Sequence, residues 1–427
     1  MKFSKILFAL IFGMTLLLSN TVFAQHEGEH NEAKHEEHSK DAKSHKKGFD
    51  VEATAFHHIA DANVYSIGPW SFPLPCILYD KDRGKFSVFS SGKFHIHGAH
   101  GDGTEIVDGY VLNGGTVMKI ANPTPEMLSE EGVEIHTQDI HPYKHEHEDK
   151  EKSYFMHNGK RYDLIKKTTL DGGIFKGGFT SFYDFSLTKN VVSMILVCLF
   201  LLFTFFGIAK SYKNGVGKAP RGIQGLFEPM IVFIRDEVAK PFLGKKWKKF
   251  LPFLLTIFFF ILGLNLFGQI PFFGGSNVTG NLSVTFVLAI FAFFVVNLSG
   301  NAHYWKHIVW MPGVPAWLKI FILTPVEIIG VFIKPLTLML RLFANITAGH
   351  MVMVIFVSLI FIAKDAAGEG MALGTAIGST LLTLFMMSIE LLVAFIQAFV
   401  FTILTAAYLS ASTEEAHEHD HAEAAAH

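Results

Sequence analysis

A chain of 427 residues whose 36 Lys and Arg nearly cancel 38 Asp and Glu offers no electrostatic footprint for nucleic acid, so none is expected as a partner. Half of the residues are hydrophobic, mean hydropathy is +0.34 and 43 phenylalanines dominate the aromatic content, which points to a membrane protein. Only two cysteines occur, Cys76 before the first expected span and Cys198 within it, which excludes a disulfide framework.

In chain order, residues 1–24 read as a signal peptide: Lys2 and Lys5, an apolar run from Ile6 to Leu18, then Val22-Phe23-Ala24 before Gln25. Residues 25–50 are a His/Glu/Lys tract of low complexity, expected to be disordered. The exported region 51–189 contains no spanning segment. Asn-Gly pairs at Asn113-Gly114 and Asn158-Gly159, flanked by apolar residues, predict β-hairpins and a small, partly β unit from about Phe86 to Leu170.

Transmembrane helices are expected at 190–209, 251–272 and 281–300. Between the first two, 210–250 carries ten Lys and Arg against Glu228, Asp236 and Glu237, so the positive-inside rule makes that loop cytoplasmic. Leu226–Lys240 within it reads as an amphipathic helix on the membrane surface. The signal peptide independently places 25–189 outside, so the N-terminal extension is expected in the periplasm.

Two apolar stretches, 320–363 and 371–409, are too long to stand upright. The second has 39 residues, roughly 58 Å as a helix against a hydrocarbon core of about 30 Å. Pro325 and Pro335 are expected to break the first into pieces. Lys364–Gly370 would turn the two into a tilted hairpin, and 410–427 is a His/Glu-rich cytoplasmic tail. The fold class is thus an all-α polytopic membrane protein: upright helices, then a strongly tilted C-terminal helical hairpin, preceded by a small, partly β exported region.

Arg341 carries a permanent charge inside the apolar run Leu336–Ile346. A guanidinium at that depth costs at least about 3 kcal/mol, and its pKa above about 12 prevents escape by deprotonation. It requires an anion, water, or both. At 100° per residue Thr337, Arg341, Asn345 and Ala348 share one narrow stripe, while His350 points away. On the last helix Glu390, Ala394 and Gln397 share a face. Imidazole and carboxylate can pass protons near neutral pH, whereas arginine can only attract, repel or block. Singly, each of these residues has a structural reading: a paired arginine, a packed histidine, helix-contact amides at Asn265 and Gln269.

Together with their neighbours they resemble subunit a of the rotary F-type ATP synthase, over about Asn190 to Ser410. Lys334-Pro335-Leu336-Thr337-Leu338-Met339-Leu340-Arg341-Leu342-Phe343-Ala344-Asn345-Ile346-Thr347-Ala348-Gly349-His350 is the most specific block, and Gln397-Ala398-Phe399-Val400-Phe401 through Ser410 the second. The resemblance implies that Arg341 is the essential arginine facing the c-ring, and that Asn345 and Gln397 lie near that contact. It makes His350 and Glu390 the pair of the periplasmic half-channel and Glu327 a recurrent acid. It also implies partners in subunit c, subunit b and the other F0F1 subunits, membrane lipid around them, a location in the bacterial inner membrane, no catalysis by the chain itself, and no cofactor or metal. Gly268 departs from the pattern, since some members place an acid there. The competing reading is an ion or metal transporter with a histidine-rich periplasmic sensor, motivated by 22 histidines.

Overall fold

The structure is a computed structural model that describes residues 61–67, 70–97, 102–129, 133–134, 140–144, 151–166, 181–214, 219–270, 276–309 and 316–413. The expected signal peptide 1–24, the tract 25–50 and the tail from 414 onward lie outside the described residues.

The N-terminal part is β-rich. Its main strands are β1 (Val64–Ile67), β2 (Trp70–Pro73), β3 (Pro75–Asp80), β4 (Lys85–Ser90), β5 (Tyr110–Asn113), β6 (Thr116–Ile120), β7 (Ile140–Lys144), β8 (Glu151–His157), β9 (Lys160–Lys166) and β10 (Phe182–Asp184). Both expected hairpins form, as β5–β6 and β8–β9, in a five-stranded sheet of order β7-β8-β9-β6-β5. A two-residue hairpin turn of the type matching strand twist needs positive φ at both central residues. Asn158 (φ 51) and Gly159 (φ 72) supply it in the second hairpin. In the first the central pair is Gly114 (φ 56) and Gly115 (φ 71), one residue later than expected, because Asn113 pairs with Thr116.

Strands begin well before Phe86 and end after Leu170: β10 returns to pair with β3, which pairs with β4. The sequence concealed β4 because its alternation is inverted. Phe86 and Val88 point outward and are exposed, while Ser87 points inward and donates to Asp108. That inward side holds a closed charge network. Buried Lys119 bonds Asp80 at 2.7 Å and Asp82 at 2.7 Å, and Arg83 bonds Asp80 and, at 3.0 Å, Asp108.

The main helices of the remainder are α1 (Lys189–Asn214), α2 (Ile223–Phe233), α3 (Trp247–Gln269), α4 (Leu282–Leu298), α5 (Ala302–Val309), α6 (Thr324–Ala367) and α7 (Glu369–Thr413). The β unit is joined directly to α1. Asp61 accepts from the Asn190 amide at 3.1 Å, and the Lys189 amide donates to Ala62 at 2.7 Å, so two otherwise orphaned amides at the helix start are satisfied from outside the helix. At Gly263 a Cβ would stand 2.9 Å from Val197, so glycine lets α1 and α3 approach closely.

The amphipathic segment is only partly superficial. After α2, Ile234–Ala239 winds as a π-helix, and its Ile234, Val238 and Ala239 are fully buried in the membrane core cluster. The wider π turn rotates these three apolar side chains inward together. Proline does not divide α6 as expected. Pro325 follows directly on a π-helical turn, Lys319–Leu323, and the helix runs unbroken through Pro335. In a membrane helix the freed backbone group can be re-satisfied locally, so one proline need not end it. The turn between α6 and α7 is also tighter than Lys364–Gly370, consisting of Gly368 alone at φ 81. The pair has 44 and 45 residues, each about 66 Å long at 1.5 Å per residue.

Among the described residues four helical stretches are long and apolar enough to cross a membrane, with Leu282–Leu298 as a shorter apolar helix. Only 11% of the apolar window in Phe321–Ala366 is buried, against 61% in Ile223–Gln269. Among the described residues the long hairpin is thus left largely uncovered.

Candidate functional site: a fixed cation between two polar pockets

Arg341 lies on the uncovered side of α6. Asn345, Ala344 and Ala348 are exposed beside it, and Thr337 returns its hydroxyl to Ile333 O at 3.0 Å, within its own helix. Among the described residues Arg341 has no ion pair and no side-chain hydrogen bond; the group within its electrostatic reach is Tyr408 on α7.

Glu390, Ala394 and Gln397 are 3%, 0% and 7% exposed, so their shared face is the inner side of α7. Two amides of α3 hold it: Gln269 donates to Glu390 O at 2.8 Å and Asn265 to Ala394 O at 3.1 Å. Thr279 donates to Asn265 Oδ1 at 2.7 Å and fixes that amide. Asn265 and Gln269 are thus the helix contacts the sequence suggested. The Glu390 carboxylate rests against α6, where a Cβ on Gly349 would lie 3.4 Å from Oε1. His350, half-buried, is the next residue. Glu390 Oε2 is buried and has no hydrogen-bond partner among the described residues. Such a group demands water or a proton donor.

On the other side of Arg341 along α6 lies a second polar group. Lys334 stands 5.4 Å over the Tyr408 ring, and with Asn297, Tyr304, Pro335 and Thr405 the two line a small cavity. Tyr304 donates to Asn297 at 3.4 Å and lies in the field of half-buried Glu327. The structure thus places Glu390 and the Gly349–His350 segment together, and Glu327 with the Lys334 cavity. Gln397, buried inside, does not share the exposed face of Arg341 and Asn345.

Residues 191–410 match the family described as ATP synthase A chain, a match that runs from α1 to α7 apart from the outermost residues of those two helices. The chain belongs to that family. It is similar to the ATP synthase subunit a of Chloroherpeton thalassium, 40% identical over 255 residues that cover 57% of this chain and 72% of the relative. The ATP synthase subunit a of Chlorobium phaeobacteroides strain BS1 is 35% identical over 323 residues, 71% of this chain and 91% of the relative. That of Myxococcus xanthus is 38% identical over 244 residues, 56% and 76%. Residues 54–140 separately match a domain of unknown function, DUF8433. Membership makes the chain a proton-translocating, multi-pass membrane subunit of the ATP synthase complex and sets aside the transporter reading.

For this member of the family, the structure explains the departure at Gly268. A Cβ there would lie 2.8 Å from Ser276 O, so an acid cannot be seated without moving the backbone of the 276–281 segment. Sequence reasoning missed Asn297 and Tyr304. The only signal was their closeness to a helix end, and an amide and a phenol near an interface are too common to single out.

Proposed function

We propose that the chain forms two proton half-channels against a rotating ring of c subunits, with Arg341 as the fixed charge between them. One observation carries this: a permanent cation exposed on an apolar helix face, with no acid of its own chain paired to it among the described residues. An isolated charge there costs at least about 3 kcal/mol, and a membrane-buried carboxylate on each passing c subunit would offset it. Asn345 flanks that contact and Thr337 lies on the same stripe, while Gln397 belongs to the polar path on the inner side of α7 with Glu390.

Protons enter near His350 and Glu390 from the periplasmic side and neutralise a ring carboxylate, which can then face lipid. On arriving at Arg341 from the other direction, the carboxylate ionises and its proton leaves through the pocket of Glu327, Tyr304 and Lys334 to the cytoplasm. Arg341 favours the ionised acid and blocks direct leakage. Each charge moved is worth about 2.3 kcal/mol per 100 mV, so several crossings drive one synthesis, and the chain itself breaks no bond. The β unit is periplasmic, the C-terminus cytoplasmic, the membrane a bacterial inner membrane, and subunit b a neighbour in the complex.

Cysteines at Ala344 and Ala348, both exposed beside Arg341, should form disulfides with a cysteine placed next to the c-subunit carboxylate. A cysteine at Phe203, exposed on α1, should not. Equal cross-linking from all three positions, or none from any, overturns the rotor contact. For the channel, Glu390→Gln combined with His350→Ala should slow passive proton flow through stripped membranes while leaving coupling intact. Unchanged conductance would remove both residues from the path.

A further inference from the structure

The hairpin β1–β2 differs from the rest of the β unit. Tyr65 stands opposite Phe72 and Ile67 opposite Trp70, and directly opposed residues in an antiparallel pair share a face. One face is therefore Tyr65, Ile67, Trp70 and Phe72, all apolar or aromatic. The reverse face carries Ser66 and Ser71, with Val64 rooted in the core of the unit. Trp70 is 68% exposed and Phe72 50%, so two large rings stand outside any core. Residues 62–73 contain no charged side chain.

The root of that aromatic face reaches a membrane helix. Tyr65 is buried, with the Ser193 side chain of α1 beside its hydroxyl. Ser193 is the fifth residue of α1, about 6 Å along the axis from the helix start. Three and seven residues further on, on the same side of α1, Leu196 and Phe200 are 43% and 59% exposed. The apolar face of the hairpin is thus rooted at the end of α1 from which its exposed apolar side chains run on.

We propose that the β1–β2 hairpin lies in the lipid–water interface of the leaflet nearest the β unit, with Trp70 and Phe72 set among lipid headgroups beside α1. Aromatic rings favour that depth, and an uncharged hairpin enters it without desolvating an ion. The serines of the reverse face stay toward water. Lipid fits this surface because it must already cover Leu196 and Phe200 on the helix at whose start the hairpin is rooted. Only the crossing of α1 through the bilayer is needed for this, independently of the proton path.

The test is nitroxide labelling of Trp70→Cys, Ser71→Cys and Phe72→Cys, one at a time, in the whole complex reconstituted into phosphatidylcholine vesicles. Cys76 and Cys198 are buried and do not compete for label. Labels at 70 and 72 should show an oxygen-to-nickel-chelate accessibility ratio several-fold above the label at 71. Three equal, water-like ratios would overturn the proposal, and so would shielding of 70 and 72 from both reagents, which marks a protein partner instead. In unlabelled complex, Trp70→Phe should remove a component of tryptophan emission that brominated phosphatidylcholine quenches. Quenching of the same amplitude in Trp70→Phe and wild type would overturn it equally.

Discussion

Arg341→Ala is expected to abolish ATP-driven proton pumping while the complex assembles normally. The side chain is exposed and unpaired among the described residues, so its removal leaves no cavity and strands no acid within the chain. Insertion of α6 should become easier by about 3 kcal/mol, the cost of the guanidinium. Loss of pumping with wild-type levels of assembled complex would then report on the charge and not on folding. Two effects should appear together in inverted vesicles. A ring carboxylate meeting no cation has less reason to release its proton, so pumping fails. With the barrier between the half-channels gone, passive proton leakage should rise. Arg341→Lys is a sharper probe, since an ammonium keeps the charge but can shed its proton in an apolar setting. Pumping at the wild-type rate in Arg341→Ala would end the assignment.

Arg341 was legible in the sequence because a charge inside an apolar run violates a strong physical constraint, and such violations need no knowledge of packing. The same holds for β8–β9, where Asn158-Gly159 leaves few other conformations open. What sequence could not convey is how helices meet. Glu390 and Gly349 lie 41 positions apart on two helices whose relative register depends on rotation and slide, neither of which periodicity fixes. The stripe of Glu390, Ala394 and Gln397 was visible as a stripe, but only the amides of Gln269 and Asn265 reveal that it faces inward. The early strands escaped notice because Phe86, Val88, Trp70 and Phe72 are exposed while Ser87 and Asp80 are buried, the reverse of the usual code. Pro335 misled for a related reason: proline removes one backbone donor, but in a membrane helix the carbonyl it frees can be re-satisfied by neighbouring groups, which sequence does not show.

The inverted burial in the β unit also identifies its weakest point, Lys119. Lys119→Met should destabilise the unit by about 3–5 kcal/mol, the usual effect of removing one partner of a buried ion pair, and a large fraction of the roughly 5–15 kcal/mol that holds a small domain folded. Methionine keeps the stem volume, so the loss would be electrostatic. It would leave Asp80, which is fully buried, with only Arg83 as cationic partner. Burial alone would raise the Asp80 pKa, but hydrogen bonds from Lys119 and Arg83 outweigh it and hold the carboxyl below the usual carboxylate range. A carboxyl depressed in the folded state stabilises at pH above its unfolded value of about 3.9, and that stability is lost as pH falls through the lower folded value. Without Lys119, burial is opposed less, the folded value rises, and the loss should begin at higher pH. Limited proteolysis of the β unit in the intact complex, titrated downward in pH, reads both effects: faster cleavage of Lys119→Met at neutral pH, and an acid transition displaced upward. Equal resistance of variant and wild type across the titration would show that the network contributes nothing to holding the unit together.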